Sequence, residues 1–423
     1  MANDFKTSTI ILNESIIGFE DSSEFLSISN NLYKEMMEEY KGLPTGGAIS
    51  VRMRDYPEID TGRVATTAPI QQLFETIAVD ETKRLNKAFE LTSLELAVDR
   101  TPVTDTTAYQ TAQAMAQRAD IQVIQELKLN TPMFLGSSTA SNLNFDALDD
   151  LSSIMDELGI VPQRTFVCNS ADYRTLTKSI HNANLFDQPL NKSINENIFV
   201  GRYGRFDIVK SNVLVGQKHT AGKAAGDAGM TLTSPVASAD YTSGTITIGG
   251  ATAGKTLLAG DRINVPGKFL INPVSKTLTR QILQFTVQAD VTESGGSFTN
   301  VSVKPGMVPV TAGNSGWFAN LASLPANGEA ITVEGDHYLN FAITKPGLTF
   351  ATVPLDDLST ISDVFGAKNQ VKKYEATRSA DSKLAMRLGF DSEILNDLAI
   401  FRLDVQPVFH AFLRYNFAYI TQP

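Results

Sequence analysis

The sequence predicts a mixed α+β protein in which an all-β segment interrupts a larger framework of helices and strands. Three features predict this fold class. Residues 104–129 have the pattern of one long amphipathic helix, residues 218–345 contain short β-patterned runs without helical periodicity, and residues 396–423 are rich in aromatic and β-branched residues. With 423 residues, the chain is expected to fold into two or three units.

The N-terminal region predicts an arm followed by a helix. Between Phe25 and Tyr40 apolar residues recur at spacings of three and four, as on one face of a helix. Gly42 and Pro44 then follow as stop signals. We therefore expect a surface helix that is preceded by a loose arm, residues 1–24.

The next region predicts two strands that are joined by a long loop. Residues 48–53 and 72–80 have strand patterns, and the polar stretch between them contains Pro57, Gly62 and Pro69. Loops of this length are uncommon in compact domains and usually have a function. We expect this loop to contact a neighbouring molecule.

The longest helix should begin at Thr104 or Asp105, which are good N-cap residues, and end near Leu129. At roughly 1.5 Å per residue it would be about 39 Å long. Its apolar stripe is narrow and begins with alanines: Ala108, Ala112, Met115, Ala119, Val123 and Leu127. The helix is therefore expected to pack closely against a sheet or another helix along its length.

A helix–strand–helix run follows this long helix. Residues 144–158 carry apolar residues at heptad-like spacing, and Gly159 is a typical stop signal for that helix. A strand at residues 165–168 leads into a third helix through Tyr173 and Leu176. This order predicts the middle of an α/β layer.

Residues 218–345 predict an inserted β-rich domain. Glycine, threonine, serine and valine dominate this segment, and residues 294–297 carry a hairpin signal. Its clearest strand patterns are Thr245–Ile248, Arg262–Val265, Ile282–Val287 and Val301–Val303. We expect a small barrel whose two ends return to the same parent domain. Strands resume at residues 338–344 and 348–353, and the C-terminal run should close a core sheet.

Composition excludes several classes of protein. The net charge is −10 and the basic residues are scattered, which disfavours a protein that grips nucleic acid through a basic face. Cys168 is the only cysteine, so no internal disulfide framework forms, and the thiol is expected to be a small core residue. The sequence shows neither a membrane-spanning run nor a signal-peptide pattern at its start.

Residues 249–256 match the phosphate-loop pattern G-x-x-x-x-G-K-[ST] letter for letter. That loop binds phosphate only when a strand leads into it and a helix follows it. Gly260 and Pro266 leave room for little more than one helical turn, so we interpret the segment as a hairpin turn. An NTP-binding enzyme remains an alternative function.

Other residues that could carry chemistry show no catalytic pattern. His181, His219, His337 and His410 lack the spacing of metal ligands. The acidic pairs Glu38-Glu39, Asp149-Asp150 and Asp356-Asp357 are typical of solvated surfaces. We therefore predict no catalytic, cofactor-binding or metal-binding residues, no cofactor and no enzymatic activity. A β-rich adhesin-like binding module is a further alternative, suggested by residues 218–345.

Three short motifs carry a resemblance to a known family: Asp105–Tyr109 (DTTAY), Phe166–Tyr173 (FVCNSADY) and Gly260–Gly267 (GDRINVPG). With the order of the predicted elements, they make the chain resemble coat proteins of tailed bacteriophages with the Hong Kong 97-like fold. It is most similar to the podophage branch of the P-twenty-two type, which has an inserted β-barrel domain.

The resemblance implies a division of the chain into named parts. These are an N-terminal arm and helix (1–47), an extended loop with its strands (48–80), a peripheral domain with the spine helix (81–137), an axial domain (138–217 and 346–395), the insertion (218–345), and C-terminal strands that close the peripheral sheet (396–423).

The resemblance also implies a function and a set of partners. The protein would be a major capsid protein that self-assembles, as hexamers and pentamers, into an icosahedral shell. Scaffolding protein and portal would be its partners, and double-stranded DNA would be packaged inside without sequence-specific binding. It would be located in the virion after assembly in the host cytoplasm, and it would contact no membrane.

Overall fold

The computed structural model describes residues 4–30, 48–53, 55–56, 72–92, 102–139, 142–160, 163–183, 201–310, 317–353, 355, 373–378, 384–393 and 398–423. In these ranges the helices are α1 (Asp4–Ser22), α2 (Glu24–Ile28), α3 (Pro102–Asn130), α4 (Phe145–Glu157) and α5 (Ser170–Ala183).

The strands of the same ranges are β1 (Ala48–Arg52), β2 (Phe74–Ala78), β3 (Leu85–Thr92), β4 (Phe134–Gly136), β5 (Arg164–Asn169), β6 (Arg202–Tyr203), β7 (Phe206–Ser211), β8 (Thr231–Leu232), β9 (Gly244–Gly249), β10 (Thr256–Leu257), β11 (Arg262–Ile271), β12 (Leu278–Val287), β13 (Val291–Thr292), β14 (Ser297–Lys304), β15 (Thr332–Val333), β16 (Tyr338–Thr344), β17 (Leu348–Val353), β18 (Lys373–Arg378), β19 (Ala385–Glu393), β20 (Leu398–Ala411) and β21 (Phe417–Thr421).

The chain divides into two compact units. Unit 1 comprises Met1–Ser50, Thr76–Val123 and Leu348–His410. Unit 2 comprises Val51–Glu75, Ile124–Gly347 and Ala411–Pro423. The mixture of helices and strands confirms the predicted α+β class.

Unit 1 is built on a sheet with the strand order β17-β20-β19-β18, and β3 pairs with the N-terminal half of β20. The spine helix α3 spans Pro102–Asn130, so it contains the predicted helix, Thr104 or Asp105 to Leu129, and is slightly longer at both ends. Its stripe is buried from Ala108 to Leu127, which leaves the polar residues of its other face for solvent.

The N-terminal prediction is wrong for residues 4–22. These residues form helix α1 instead of a loose arm. Leu12, Ile16 and Phe19 recur at spacings of four and three and are buried, so α1 gains a packed face. At the start of the helix predicted from Phe25 onward, α2 ends at Ile28 and Ser29 is extended, so the predicted helix is interrupted at residue 29.

The chain leaves α2 by a strand-like contact. Asn30 forms a parallel bridge with Thr349, and its side-chain carbonyl accepts a hydrogen bond of 3.0 Å from Thr349 Oγ1. The helix does not continue through residue 29, because the backbone N–H of Asn30 donates to Leu348 O and its carbonyl accepts from Phe350 N. These groups are therefore not available for helical hydrogen bonds. The rest of the predicted stripe, residues 31–47, lies outside the described residues.

Unit 2 contains a central sheet with the order β4-β21-β16-β5-β7-β6. The predicted helix–strand–helix run is confirmed in this layer. Asn144 caps α4 through a bond of 2.8 Å from Ala147 N to its Oδ1, and Gly159 ends the helix with φ +71°. Cys168 lies in the buried strand β5, as predicted for a core thiol.

A second sheet of unit 2 has the order β15-β11-β12-β14-β9-β8, with antiparallel pairing throughout. Its two end strands meet through an antiparallel bridge between Thr231 and Ala330. Leu232 N also donates to Glu329 O at 2.9 Å. The strands therefore form a closed ring, which we call the β ring. Its apolar interior includes Phe285 and Phe298, which are fully buried.

Two strands, β16 and β21, do not lie in the parts of the fold to which the predicted division assigns them. β16 falls within 218–345, yet it pairs with β5 and β21 in the central sheet. Residues 396–423 supply β20 to unit 1 and β21 to the central sheet. Leu339 to Thr344 are buried without alternation, a pattern that suits an interior strand of a sheet covered on both faces.

The predicted strands of residues 48–80 form a two-stranded sheet of β1 and β2. Residues 57–71, the main part of the predicted extended loop, lie outside the described residues. No helix in the described part of the chain combines the length and apolar character needed to cross a membrane.

Candidate functional site: buried polar junctions

The motif Gly260–Gly267 connects the spine helix to the β ring. Asp261 and Arg262, at the start of β11, are both fully buried. Charged side chains are rarely buried without partners, because removing a charge from water costs several kcal/mol. Their partners therefore show what this motif does in the fold.

Arg262 closes the C-terminal end of α3. Its guanidinium donates hydrogen bonds to the carbonyl oxygens of Lys128, at 3.0 Å, and Thr131, and to Thr286 Oγ1 at 2.6 Å. The last carbonyls of a helix lack intrahelical partners and carry partial negative charge, so a cation is favourable here. Burial lowers the pKa of Arg262 to about 9, which still leaves it protonated at neutral pH.

The turn before Arg262 requires glycine. Gly260 has φ +96°, and a Cβ atom at this position would collide with Lys128 Cε. The side chain of Lys128 thus passes directly over the turn. Burial lowers the pKa of Lys128, and the nearby charge of Arg262 lowers it further.

Asp261 holds the segment that enters the β ring. Its carboxylate accepts hydrogen bonds from Leu258 N at 2.8 Å and from Gly222 N at 3.1 Å. His219 Nε2 lies 2.8 Å from Asp261 Oδ1 and donates to it. A Cβ on Gly222 would meet Thr256 O and would lie 2.8 Å from Asp261 Oδ2, so only glycine allows this approach.

His219 and His337 form a buried pair. Their backbones exchange hydrogen bonds of 2.9 and 3.2 Å, and their ring centroids are 5.0 Å apart. Burial lowers the pKa of both imidazoles, that of His337 to about 3, so both are neutral at pH 7. The spacing of His219 and His337 in the sequence did not indicate this pair, because an antiparallel bridge between distant segments brings the two residues together.

The described residues contain no group of three or more histidine, cysteine or acidic side chains that could hold a metal ion. His410 lies in β20, and the side chain of His181 is outside the described part. The prediction that no residue binds a metal or cofactor stays a prediction.

A row of side-chain hydrogen bonds joins the β ring to edge strand β4. Phe134 N donates to Gln284 Oε1 at 2.8 Å, and Gln284 Nε2 donates to Asn264 Oδ1 at 2.8 Å. Asn264 Nδ2 then donates to Glu334 Oε1 at 2.9 Å, and Glu334 Oε2 accepts from Ser138 N at 2.9 Å. The row satisfies backbone groups at one end of the central sheet with side chains of the ring.

The motif Phe166–Tyr173 forms a second junction inside the central sheet. Asp172 N donates to Asn169 Oδ1 at 2.8 Å, which caps the start of α5. Asp172 Oδ2 accepts hydrogen bonds of 2.7 Å each from Asn169, Asn340 and Thr421. One carboxylate therefore connects β5, β16 and β21 to the helix that follows β5.

A third junction anchors the base of the predicted extended loop. Arg414 Nη1 lies 2.7 Å from Asp55 Oδ1, and Phe318 N donates to the other oxygen of Asp55. The guanidinium of Arg414 lies 4.6 Å from the ring centroid of Tyr241. Met53 packs in the same apolar cluster as Tyr241 and Phe318.

The phosphate-loop match at residues 249–256 connects two sheets. As predicted, no helix follows it, but it is not a hairpin turn, because β9 pairs with β14 and β10 pairs with β13. Thr252 N donates to Asp227 Oδ2 at 3.1 Å, and Gly254 N donates to Glu293 Oε2 at 2.9 Å. Two of the loop amides thus bond to carboxylates of the chain itself, which would also repel a phosphate.

The remaining candidates occupy structural positions. Cys168 is buried, which raises the pKa of its thiol to about 12. Asp149 accepts a hydrogen bond of 2.9 Å from Tyr203 OH on the surface of α4, and Asp150 is exposed. Glu38-Glu39 and Asp356-Asp357 lie outside the described residues.

Asp120 is a buried acid of unit 1 that the sequence patterns did not single out. Asp120 lies in the apolar stripe of α3, and its carboxylate accepts from Ser23 Oγ at 2.8 Å and Glu24 N at 2.9 Å. Ser23 is the N-cap residue of α2, so Asp120 joins the spine helix to the N-terminal helices. The available signal was a lone acid between Ala119 and Val123 on a buried face.

Comparison with known proteins identifies a family. The model of the family described as P22 coat protein, gene protein 5, matches residues 71–383. A comparison with curated proteins finds no match.

Solved structures are similar to this chain, two of them over most of its length and a third over about a quarter of it. A Mycobacterium phage Che8 structure is 11% identical, covers 94% of this chain and 90% of that chain, and has a TM-score of 0.44. The capsid structure of cyanophage P-SCSP1u is 11% identical, covers 90% and 84%, and has a TM-score of 0.39. The CUS-3 coat protein I-domain is 25% identical, covers 27% and 91%, and has a TM-score of 0.17.

The family match spans the segment from β2 to the stretch before β19, which includes the spine helix, the β ring and most of the strands of the central sheet. The matched residues make up more than half of the chain. A coat protein depends on rigid connections between its elements more than on a reactive centre. The chain belongs to the P22 coat protein family, and it is the major capsid protein of a tailed phage, a structural protein of the virion shell.

Proposed function

We propose that this chain forms hexamers and pentamers of an icosahedral shell that encloses phage DNA. The family match over residues 71–383 carries this proposal. A closed shell multiplies many modest contacts between identical copies, so stability of the subunit matters more than any single reactive group. The buried junctions support it, because they hold helix ends and strand ends in fixed positions inside each unit.

The extended loop, Ala48–Asp80, contacts a neighbouring copy in this proposal. The ion pair between Asp55 and Arg414 lies at the base of this loop, and both side chains are largely buried. The pair therefore fixes the position of the residues from which the loop begins. In the same proposal, residues 138–217 and 346–395 lie at the ring axes, and the insertion 218–345 lies on the outer surface.

The partners of the shell are also part of the proposal. Scaffolding protein and portal assist assembly in the host cytoplasm, and the DNA inside is not bound by sequence. The net charge of −10 supports weak contact with the packaged DNA, because like charges repel.

Electron microscopy of the full chain, expressed with and without a scaffolding partner, tests the proposal. We expect closed shells or elongated polyheads. A single small oligomer under all assembly conditions would overturn it.

We also propose that the chain has no enzymatic activity. The carboxylates of Asp227 and Glu293 at the phosphate-loop match support this. Isothermal titration with ATP should show no binding to the wild type or to Lys255→Ala. ATP binding that disappears in Lys255→Ala would contradict the proposal and favour the NTP-binding alternative.

A further inference from the structure

Two chain segments join the β ring to the central sheet of unit 2. Residues 217–222 follow β7 and lead toward the ring, and residues 334–337 lead from β15 back to β16. An antiparallel bridge between His219 and His337 pairs the two segments. The backbone N–H of each histidine donates to the carbonyl of the other, at 2.9 and 3.2 Å. We call the two paired segments the neck.

Both imidazoles are buried in the neck, and one nitrogen of each ring donates a hydrogen bond. The exposed fractions of His219 and His337 are 2% and 0%. His219 Nε2 lies 2.8 Å from Asp261 Oδ1, and His337 Nδ1 lies 2.7 Å from Gly335 O. A carboxylate and a carbonyl only accept hydrogen bonds, so these two nitrogens carry the hydrogens of the neutral rings. The lone pairs therefore lie on His219 Nδ1 and His337 Nε2.

A second hydrogen on either imidazole would be a buried donor. In the part of the chain that the structure describes, His219 Nδ1 and His337 Nε2 are buried and have no hydrogen-bond partner. Protonation would convert each of these nitrogens into an N–H donor. A buried donor without an acceptor costs free energy, and the charge that comes with it costs more. The arrangement of the pair therefore suits two neutral imidazoles.

The charges around the pair also oppose protonation. Lys128, in the last turn of α3, and Arg262, at the start of β11, are the cations that act on it. Burial is the main reason why the pKa of each imidazole is lowered, and these two charges lower both pKa values further. Asp261 is the opposing charge, and its carboxylate already accepts hydrogen bonds from Leu258 N and Gly222 N. One carboxylate does not balance two cations and two imidazolium ions.

The other charged groups of the neck have partners of their own. Asp336 Oδ2 lies 2.9 Å from Lys218 Nζ, and Asp336 Oδ1 accepts a hydrogen bond of 3.0 Å from Ala221 N. The hydrogen bond from Lys218, and after it the bond from Ala221, lowers the pKa of Asp336 below its usual 3.8. Glu334 accepts a hydrogen bond from Ser138 N, outside the neck. In mild acid, imidazole is therefore the side chain of the neck whose charge changes.

We propose that His219 and His337 form a latch that holds the neck closed and opens in mild acid. In the closed neck both imidazoles stay neutral. In the open neck water surrounds them, and they take up protons near their ordinary pKa of 6.5. The closed state is therefore fully stable above about pH 6.5 and loses stability as pH falls, because protons bind to the open state. The latch lies within one chain, so it does not depend on assembly of a shell.

The expected effect is large enough to measure for single amides. Each proton that binds only to the open neck increases the opening equilibrium constant about tenfold per pH unit below 6.5. The pKa of His337 in the closed neck is about 3, so this residue should act over the whole range down to that value. The protection of the His219 and His337 amides against hydrogen exchange should therefore fall about tenfold or more between about pH 6 and about pH 5.

Hydrogen exchange of the full chain, followed by mass spectrometry from about pH 7 to about pH 5, tests the latch. Protection factors of peptides that contain the neck should fall, while those of peptides from β5 and β21 should not. The variant His219→Gln with His337→Asn replaces each imidazole by an amide that can still donate to Asp261 or Gly335. Because an amide does not titrate, the protection factors of the neck should not change with pH in this variant. His410→Gln, which removes a histidine of β20, should keep the wild-type loss.

A second variant keeps the test decisive if the amide variant does not fold. Lys128→Met removes one cation beside the pair, so protonated histidines cost less free energy in the closed neck. The loss of protection at about pH 5 should then be smaller than in the wild type. Lys178→Met, at an exposed position on α5 with the same change in charge, should keep the wild-type loss.

Other results would overturn the inference. Protection factors of the neck that stay constant down to about pH 5 in the wild type would show that no latch opens. A loss that persists in the amide variant would assign the pH dependence to another group. Equal losses in Lys128→Met and in the wild type would contradict the role of the surrounding charge. An equal loss in β5 and β21 would indicate global unfolding instead of an opening of the neck.

Discussion

Single buried polar side chains hold this protein together at the places where elements end. Arg262 bonds to the carbonyl of Lys128 in the last turn of α3, and Asp261 bonds to backbone amides at the entrance of the β ring. Asp172 connects three strands of the central sheet to α5. Helix and strand ends lack regular backbone partners, and burying them without substitutes would cost free energy.

Replacing Arg262 by methionine should show this cost. Arg262→Met keeps an unbranched apolar stem but leaves the carbonyls of Lys128 and Thr131 without the guanidinium. We expect the free energy of unfolding to fall on the order of 3 kcal/mol. Urea denaturation measures it, and Lys268→Met on the same strand should change stability by about 0.5 kcal/mol or less. Equal effects of the two substitutions would contradict the assigned role.

Asp120 makes the stability of unit 1 depend on pH. Burial raises the pKa of its carboxyl from 3.8 to about 7, while bonds from Ser23 and Glu24 oppose the rise. A folded-state pKa above the unfolded value means that the folded protein holds the proton more tightly. Its contribution to stability is therefore full below pH 3.8 and is lost as pH rises through about 7.

Asp120→Asn should remove this dependence. Each unit of pKa shift corresponds to about 1.4 kcal/mol, so the wild type loses a few kcal/mol at most over this pH range. Denaturant midpoints across the range, with hydrogen exchange of α2 amides, measure the loss. Glu20→Gln, an exposed substitution on α1, should keep the wild-type slope. A slope that survives in Asp120→Asn would assign the pH dependence to another group.

At the scale of the elements, the position of a strand within its sheet follows the burial of its side chains. β16 is buried along its length and takes an interior position between β21 and β5. Between β20 and β21 the chain turns, and in this turn Asn416 Nδ2 donates a hydrogen bond of 2.6 Å to Gly347 O. A turn that is held by a buried side chain lets residues close in sequence join different sheets.

The base of the extended loop should depend on its ion pair. Asp55→Ala leaves the guanidinium of Arg414 buried beside Tyr241 without its carboxylate. Breaking a buried pair from one side costs about 3–5 kcal/mol. Thermal and urea unfolding measure this cost, and Tyr56→Ala, at a neighbouring exposed position, is the control.

A variant with both partners changed distinguishes the free energy of the ion pair from the free energy of the packing that is lost. Asp55→Ala combined with Arg414→Met removes the unpaired charge, so it should cost less than Asp55→Ala alone. A double variant that is as unstable as the sum of both single variants would show that the ion pair contributes nothing.

At the scale of the whole molecule, the strands of the β ring close on one another. Its strands lie between residues 231 and 333, and the bridge between Thr231 and Ala330 closes them within that range. The interior is apolar and buried, while the polar row through Gln284 and Asn264 faces β4. Closure removes the open edges that would otherwise pair with other chains.

Residues 218–337 should therefore fold as a fragment. We expect β-sheet circular dichroism and one cooperative unfolding transition in urea. Phe285→Ala in the fragment should lower the free energy of unfolding by about 3–5 kcal/mol, because the ring interior cannot refill the cavity. A fragment without a cooperative transition would contradict a separate inserted domain.

Local signals in the sequence were sufficient for the elements whose pattern lies in neighbouring residues. The alanine stripe predicted α3, the heptad-like apolar spacing and the Gly159 stop predicted α4, and residues 249–256 were correctly predicted to lack a following helix. Such signals depend on backbone conformation and periodicity within a few residues. The family resemblance, which rested on three short motifs and the order of the predicted elements, was confirmed by the family match over residues 71–383.

The tertiary structure alone decided which distant residues meet. Asp55 and Arg414 are 359 positions apart, and Asp120 reaches Ser23 across 97 positions. α1 formed where a loose arm was expected, because its buried face found partners that the local sequence does not show. Strand pairing and polar junctions are chosen by the free energy of burying both partners together, and that free energy exists only once the chain is folded.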